Sequence, residues 1–244
     1  MRLNKYLAQC GIGSRRKCDE FIAAGHVFCN GERVTAMGMQ IDPEKDSIEY
    51  RGKKVEQIRT LEYYAFYKPR EVVVTASDPQ GRPTVYTVLT ETWKDAKHLR
   101  YVGRLDYQSE GLLILTSDGA LVHAVTHPRF HVKKVYHVKV ERRLTTEERE
   151  RLRGGVISDG VRLKAGDIKE LSVPDKDRKQ YWYEVTLFEG KNRQLRRMFE
   201  VLNVLVGRIR RVQFGSVKIG ALKAGELRPL TEREIGGLRN AGYR

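Results

Sequence analysis

No uninterrupted apolar stretch of this 244-residue chain approaches the roughly 18 residues that a membrane-spanning helix requires, so no membrane partner is expected. No secretory leader is expected either. The N-terminal MRLNKYLAQCG has a lone Arg2 but no apolar core and no small-residue cleavage site, which points to the cytoplasm. Cysteine is scarce: Cys10, Cys18 and Cys29 are odd in number and never spaced C-x-x-C, which argues against a disulfide framework. His26 adds a fourth soft ligand, yet none of the spacings fits a structural zinc pattern. No metal is expected, and the thiols read as buried and reduced. No P-loop, dinucleotide-binding glycine fingerprint, H-E-x-x-H or nucleophile elbow occurs.

Negative charge is in short supply as well. With 46 Lys+Arg against 31 Asp+Glu the formal net charge is +15, which implies a polyanionic partner and leaves the fold open. The 40% hydrophobic content plus 22 glycines is ordinary for a globular protein, and the length suits one large domain or a domain plus a small module.

The first fifty-odd residues read as a compact unit. Leu3 and Leu7 share one helical face over Arg2 to Gln9, and Gly11 and Gly13 break the pattern. Ser14 is a good N-cap for a second helix, Arg15 to Ala24, which buries Cys18, Phe21 and Ile22, and Gly25 is placed to stop it. Asn30-Gly31 then sits between two β-prone runs, a strong hairpin signal. Arg15, Arg16 and Lys17 crowd the positive end of the second helix, where cations are unfavourable unless something outside the helix compensates. The stretch RLNKYLAQCGIGSRRKCDEFIAAGHVFCNGERV resembles an S4 RNA-binding domain. Leu3, Lys5, Leu7, Ser14, Arg15, Arg16, Val27, Asn30 and Gly31 occupy the positions that recur in such domains. The resemblance implies that Arg2, Lys5, Arg15, Arg16 and Lys17 face structured RNA.

A polar stretch with a strand-turn-strand around Arg51-Gly52 leads to a boundary near residue 60. Residues 1–60 carry a net charge of +3 and residues 61–244 carry +12. Strand-like runs follow at Tyr63 to Tyr67, Val72 to Thr75, Leu112 to Thr116, Val135 to Val140, Tyr181 to Phe188 and Arg208 to Phe214. Helical patterns are found at Ala120 to Thr126, Thr146 to Arg153, Asn192 to Leu202 and Thr231 to Arg239. Few crossover helices among so many strands predict an α+β fold, a small N-terminal domain (1–60) followed by a larger one (61–244) on a mixed, mainly antiparallel sheet with flanking helices.

Three segments carry chemistry. In GRLDYQSEGLLILTSDG, Asp106 stands in a polar loop just before a buried strand, where an Asp taken alone is most often a loop cap. In KKVYHVKV, alternation gives Tyr136 apolar neighbours, and a core tyrosine is the simplest reading. In EGKNRQLRRMFE, Asn192 is placed to cap a helix whose Leu195, Met198, Phe199 and Leu202 form a core stripe, with Arg193, Arg196 and Arg197 on another face. Residues 191–218 carry eight Lys+Arg and one acidic residue, a one-signed run that reads as nucleic-acid contact.

Taken together and in this order, with Lys68-Pro69, DPQGRPT (78–84), Thr126-His127-Pro128 and the G-x-L-x-x-G-x-x-R-x-L run at 220–230, these motifs resemble the RsuA-type family of bacterial rRNA pseudouridine synthases. The resemblance implies an isomerase that needs no cofactor and acts on ribosomal RNA or a pre-ribosomal particle. It makes Asp106 the nucleophile, Tyr136 the ring stacked on the target base and Arg196 the cation beside the aspartate. Arg104, Lys191, Arg193 and Arg197 become further RNA contacts. The chemistry suits these groups. A C–N glycosidic bond breaks and a C–C bond to the same ribose forms; a guanidinium beside a carboxylate favours its ionised form and orients it. An aromatic ring holds the detached base, and the uridine must leave its stack to be reached. The sequence departs from the family pattern at Tyr67 (often Asn), Glu71 (often Gly) and Ser109 (usually Thr).

The motif details point to large-subunit (23S) rRNA, with a small-subunit (16S) target as the alternative and monomer as the default state. A non-enzymatic S4-containing ribosome-assembly factor is the rival reading, but a pure binder has no use for an acidic residue in a basic RNA groove. If about six phosphates are neutralised on single-stranded contacts, log affinity for rRNA should fall with log salt at a slope near −4. Filter binding between 50 and 200 mM salt measures it, and a flat dependence would contradict a phosphate-driven partner.

Overall fold

The computed structural model describes residues 1–56, 61–93, 96–172 and 181–242, so the domain boundary expected near residue 60 lies outside the described residues. The chain opens with two helices, α1 (Leu3–Gln9) and α2 (Arg15–Ala23). Ser14 Oγ accepts from the Lys17 N–H at 3.2 Å, the expected N-cap, and Gly25 takes the left-handed conformation that ends α2. Four strands follow: β1 (Val27–Cys29), β2 (Glu32–Val34), β3 (Ile48–Tyr50) and β4 (Lys53–Lys54), an antiparallel sheet in the order β2-β1-β3-β4. Asn30 and Gly31 both have positive φ, as the hairpin turn requires. Leu3, Leu7, Cys18, Ile22, Val27 and Ile48 fill a separate core, in which Cys18 and Cys29 are buried and free while Cys10 is half-buried.

The larger part is built from β5 (Tyr63–Lys68), α3 (Val85–Thr92), β6 (Arg100–Val102), β7 (Ser109–Thr116), α4 (Gly119–Thr126), β8 (Lys134–Val140) and α5 (Thr146–Gly154). These are followed by β9 (Val156–Ser158), β10 (Val161–Leu163), β11 (Asp167–Leu171), β12 (Tyr181–Leu187), α6 (Gln194–Glu200), β13 (Val206–Phe214), β14 (Val217–Lys218), β15 (Leu227–Pro229) and α7 (Glu232–Gly242). Among the described residues a nine-stranded sheet runs β11-β12-β8-β13-β7-β5-β15, with β14 on β13 and β6 on β7, and only its β13 and β7 pair in parallel. This is the expected mixed, mainly antiparallel α+β architecture. One face packs on α3, α5 and α6 through Phe66, Leu113, Val138, Tyr183, Leu195 and Phe199. The other packs on α4 and α7 through Ala65, Leu112, Ile114, Phe214, Leu121 and Leu238.

Two expectations fail. Val72 to Thr75 is not a strand: Val73 bonds Pro83 and Val85 across a local loop and makes one isolated bridge to Thr84, while Val72 and Val74 anchor that loop in the core. Asn192 does not cap α6 either. Arg193 takes a left-handed conformation (φ 47°), and the Gln194 side chain accepts from the Lys191 N–H at 3.1 Å, so the helix begins only at Gln194. α3 and several short strands carry no strong sequence signal: the Thr84–Thr87 capping box of α3 is not of the Glu/Gln type.

The parallel pair is the tightest point of the sheet. Gly111 has φ +103°, and a Cβ there would lie 2.4 Å from the Arg211 carbonyl oxygen, whereas a Cβ at Gly31 (φ +85°) meets nothing within 4 Å. Gly111→Ala should therefore cost about 4 kcal/mol or more, and Gly31→Ala about 1–2 kcal/mol. Urea unfolding of the two variants checks this, and equal losses would contradict the close approach of β7 and β13.

Candidate active site

At the end of the sheet face that carries α6, a cleft of about 630 Å³ opens between three segments. Its walls are the 103–108 loop, which joins β6 to β7, with Ser109 at the start of β7, the 73–82 loop, and the turn entering α6. Asp106, Tyr136 and Arg193, far apart in sequence, all line it, as do Arg104 and Lys191. Tyr136 is 8% exposed, belongs to the core cluster and also lines the cleft. Asp106 is half-buried, and its carboxylate makes no hydrogen bond or ion pair to any described residue.

The loop under Asp106 is held by a group to which the sequence reading assigned no role in the site. Lys68, last residue of β5, is 0% exposed; its Nζ donates to the carbonyls of Pro69 (2.7 Å) and Ser109 (2.6 Å), and the Ser109 N–H donates to the Asp106 carbonyl (2.9 Å). Burial pushes the Lys68 amine down to about 8; the charges of Asp106 and Glu110 partly offset this, and Arg211 adds to it. Alternation along β5 puts Lys68 in phase with Phe66, on the cleft face, a signal available in the sequence. Glu71, where the family often has Gly, takes φ 60° and donates its N–H to the Tyr107 carbonyl at 2.7 Å, so the departure keeps the left-handed backbone.

Arg196 is near Asp106 but does not pair with it within 4 Å. Its guanidinium donates to the Gln108 carbonyl (3.5 Å) and the Val206 carbonyl (3.1 Å), bridging the aspartate loop to the start of β13. Burial and the neighbouring Arg193 lower its proton affinity, and Asp106 opposes them. Its Nε is buried with no partner. On the rim, Arg82 and Asp78 form a two-pronged pair (2.7 and 3.0 Å) that holds the Asp78 carboxyl at about 2 and stiffens the 78–82 turn.

The basic run at 191–218 needs correction. Arg208 and Arg210 clamp the buried Glu110 on the opposite sheet face, where burial raises the Glu110 carboxyl and the two guanidiniums more than reverse that. Arg211 is buried, with Nε donating to the Leu112 carbonyl at 2.8 Å. Arg197 is committed to the β9–β10 hairpin, donating to the Ser158 carbonyl and pairing with Asp159 (3.2 Å), and does not line the cleft. Lys191 and Arg193 remain exposed at the cleft. Arg2, Lys5, Arg15, Arg16 and Lys17 are exposed on the small domain, and Lys17 pairs with Glu20 at 2.5 Å, relieving part of the crowding at the α2 terminus.

The family model described as RNA pseudouridylate synthase matches residues 62–201, and the S4 domain model matches residues 1–47. The chain belongs to the RNA pseudouridylate synthase family. A Bacillus subtilis relative named ribosomal large subunit pseudouridine synthase B is 36% identical over 239 residues, spanning 98% of this chain and 95% of the relative. A Pseudomonas aeruginosa protein of the same name is 35% identical over 96% of this chain and 60% of its own length. A crystal structure described as a pseudouridylate synthase superposes with TM-score 0.67 at 30% identity, over 98% of this chain and 99% of that one. As a pseudouridylate synthase the protein is an isomerase acting on RNA, and no described helix is long and apolar enough to cross a membrane.

The buried amine has a pH signature. Between about 8 and its unfolded value of about 10.4, Lys68 is neutral in the fold and charged in the unfolded chain, so the unfolded state binds the extra proton. The unfolding free energy of wild type relative to Lys68→Met should rise with pH across that window. Denaturant titrations at pH 7.5, 9 and 10 check it, and a difference that is flat or falls with pH would contradict a desolvated amine.

Proposed function

We propose that the protein converts a uridine of large-subunit rRNA to pseudouridine, with Asp106 as nucleophile, Tyr136 as the ring against the target base and Arg196 as the positioning cation. The observation that carries the reading is the Asp106 carboxylate, without a partner among the described residues, in a cleft whose other carboxylate, Asp78, is paired with Arg82, on a loop braced from below by Lys68. A structural aspartate is normally consumed by capping or pairing. A carboxylate left open beside Arg104, Lys191 and Arg193 suits a reaction at the ribose of a flipped nucleotide, whose phosphates those cations neutralise.

The reaction is redox-neutral. The bond from uracil N1 to ribose C1′ breaks, the base turns in the cleft, and a bond from C5 to C1′ replaces it; the C5 proton passes to solvent water and N1 takes one up, so product and substrate are isomers. Attack of the carboxylate at C1′ or at C6 serves either order of events, and Tyr136 keeps the detached ring from escaping. The Arg196 bridge from Gln108 to Val206 favours a role in aiming the Asp106 loop. The names of the Bacillus and Pseudomonas relatives support a large-subunit target over a small-subunit one. We further read residues 1–60 as an S4 docking domain and 61–244 as the catalytic domain of a cytoplasmic monomer that meets rRNA or a pre-ribosomal particle.

Asp106→Asn should lower pseudouridine formation by about 10³-fold or more while leaving rRNA affinity nearly intact. Carbodiimide primer-extension mapping and filter binding measure the two, and undiminished product would overturn the nucleophile. Arg196→Ala should slow turnover by about 10²-fold with little loss of affinity, the size of effect that a small misplacement produces. An effect confined to affinity would make Arg196 a phosphate contact.

A further inference from the structure

Beside the cleft lies a second recess of about 630 Å³, separated from it by Lys191, which lines both. We propose that this recess holds one unpaired nucleotide adjacent to the isomerised uridine, its base stacked on Phe188 and its phosphates met by Arg162 and Lys164. The proposal rests on the reading that the neighbouring cleft binds RNA, and adds a second nucleotide subsite to it.

Phe188 follows Leu187, the last residue of β12. Leu187 is buried and lines the cleft, and Phe188 is left 44% exposed among cations. An exposed phenyl is unremarkable when isolated. This one is seated. A Cβ on Gly166 would lie 2.4 Å from the Phe188 ring, so the ring rests on the bare glycine backbone, whose N–H is fixed to the Thr186 carbonyl at 2.8 Å. Gly166 does not have positive φ, so its backbone does not require a glycine; the space it leaves is taken by the ring.

The surrounding charge is complementary to a polyanion. Arg162, Lys164 and Lys191 are exposed and come from two segments of the chain. The carboxylate among them, Glu189, is engaged by Lys191 at 2.9 Å and by the Gln194 amide at 2.8 Å. A flat aromatic platform beside a cationic wall is the recurring way in which proteins hold single-stranded nucleic acid: every base has a π-face, and stacking needs no base-specific hydrogen bonds. The shared Lys191 puts the platform next to the cleft, where the neighbour of a flipped uridine emerges.

The test measures affinity of the full chain for a protein-free large-subunit rRNA transcript in the Asp106→Asn background, so that binding is read apart from catalysis. Phe188→Ala should weaken binding about tenfold, within the range of one stacked base, and Phe188→Trp should stay within about twofold of the parent. Gly166→Ala displaces the ring without altering it and should reproduce the Phe188→Ala loss, the double variant being no worse than either alone. Lys164→Gln should reduce the salt slope, which Phe188→Ala should leave unchanged. Binding unaffected by Phe188→Ala, or fully restored by Phe188→Leu, overturns the stacking site and leaves an acidic protein as the occupant. Wild-type protein that binds the transcript in a Phe188-dependent way yet forms no pseudouridine defeats the catalytic reading alone.

Discussion

Lys68 places an amine at the end of β5, shut off from solvent and bonded to two carbonyl oxygens, those of Pro69 and Ser109. Such a group is costly to bury, and its lowered proton affinity expresses that cost. What the burial secures is geometry. The end of β5 and the start of β7 are joined by one side chain, and the Asp106 loop hangs from that junction through the Ser109 N–H. From the opposite face Arg208 and Arg210 grip Glu110, so β7 is fixed on both sides at the residues that follow the loop. Gly111 then lets β13 approach in parallel, and β13 in turn carries β8 and Tyr136. The nucleophile proposed here must be positioned while its reactive atoms stay unengaged, and the constraint acts on the backbone and leaves the Asp106 carboxylate open.

Local signals were the most legible in the sequence. Ser14 capping α2, the Asn30-Gly31 turn and the Leu195, Met198, Phe199, Leu202 stripe each depend on interactions within a few residues, and each is found where spacing puts it. The Val72 to Thr75 run misled because a β-branched apolar stretch is equally suited to anchoring a loop, and periodicity does not say which backbone it will bond. Lys68 went unassigned because its partners are carbonyls, one of them 41 residues away. Arg196 was expected to pair with Asp106 directly; the structure gives it the Gln108 and Val206 carbonyls instead, a distinction of a few ångströms that no motif encodes.

Charge was the least faithful guide at the level of single residues. The excess of +15 is a property of the whole chain, yet much of the one-signed run at 191–218 is engaged by groups of the protein itself, although only Arg211 among its cations is buried. Arg208 and Arg210 serve Glu110, Arg211 is buried, and Arg197 holds a hairpin. Their acidic or carbonyl partners come from segments distant in the chain, so counting along the sequence overstates how many of these cations are without a partner in the protein. Those exposed at the cleft, Arg104, Lys191 and Arg193, are fewer and better placed, and with the small domain's exposed Arg15 and Arg16 they make two separate basic regions.

The central claim is that the Asp106 carboxylate, aimed by the Lys68 brace, reaches the reacting atoms of a uridine drawn into the cleft. A crystal structure of the protein bound to an rRNA stem-loop carrying 5-fluorouridine at the mapped position tests it most directly. The account predicts that the base leaves its stack and lies against Tyr136, with an Asp106 oxygen bonded to or in contact with ribose C1′ or ring C6. A target nucleotide lodged elsewhere, or one in the cleft with Asp106 out of contact, would contradict it.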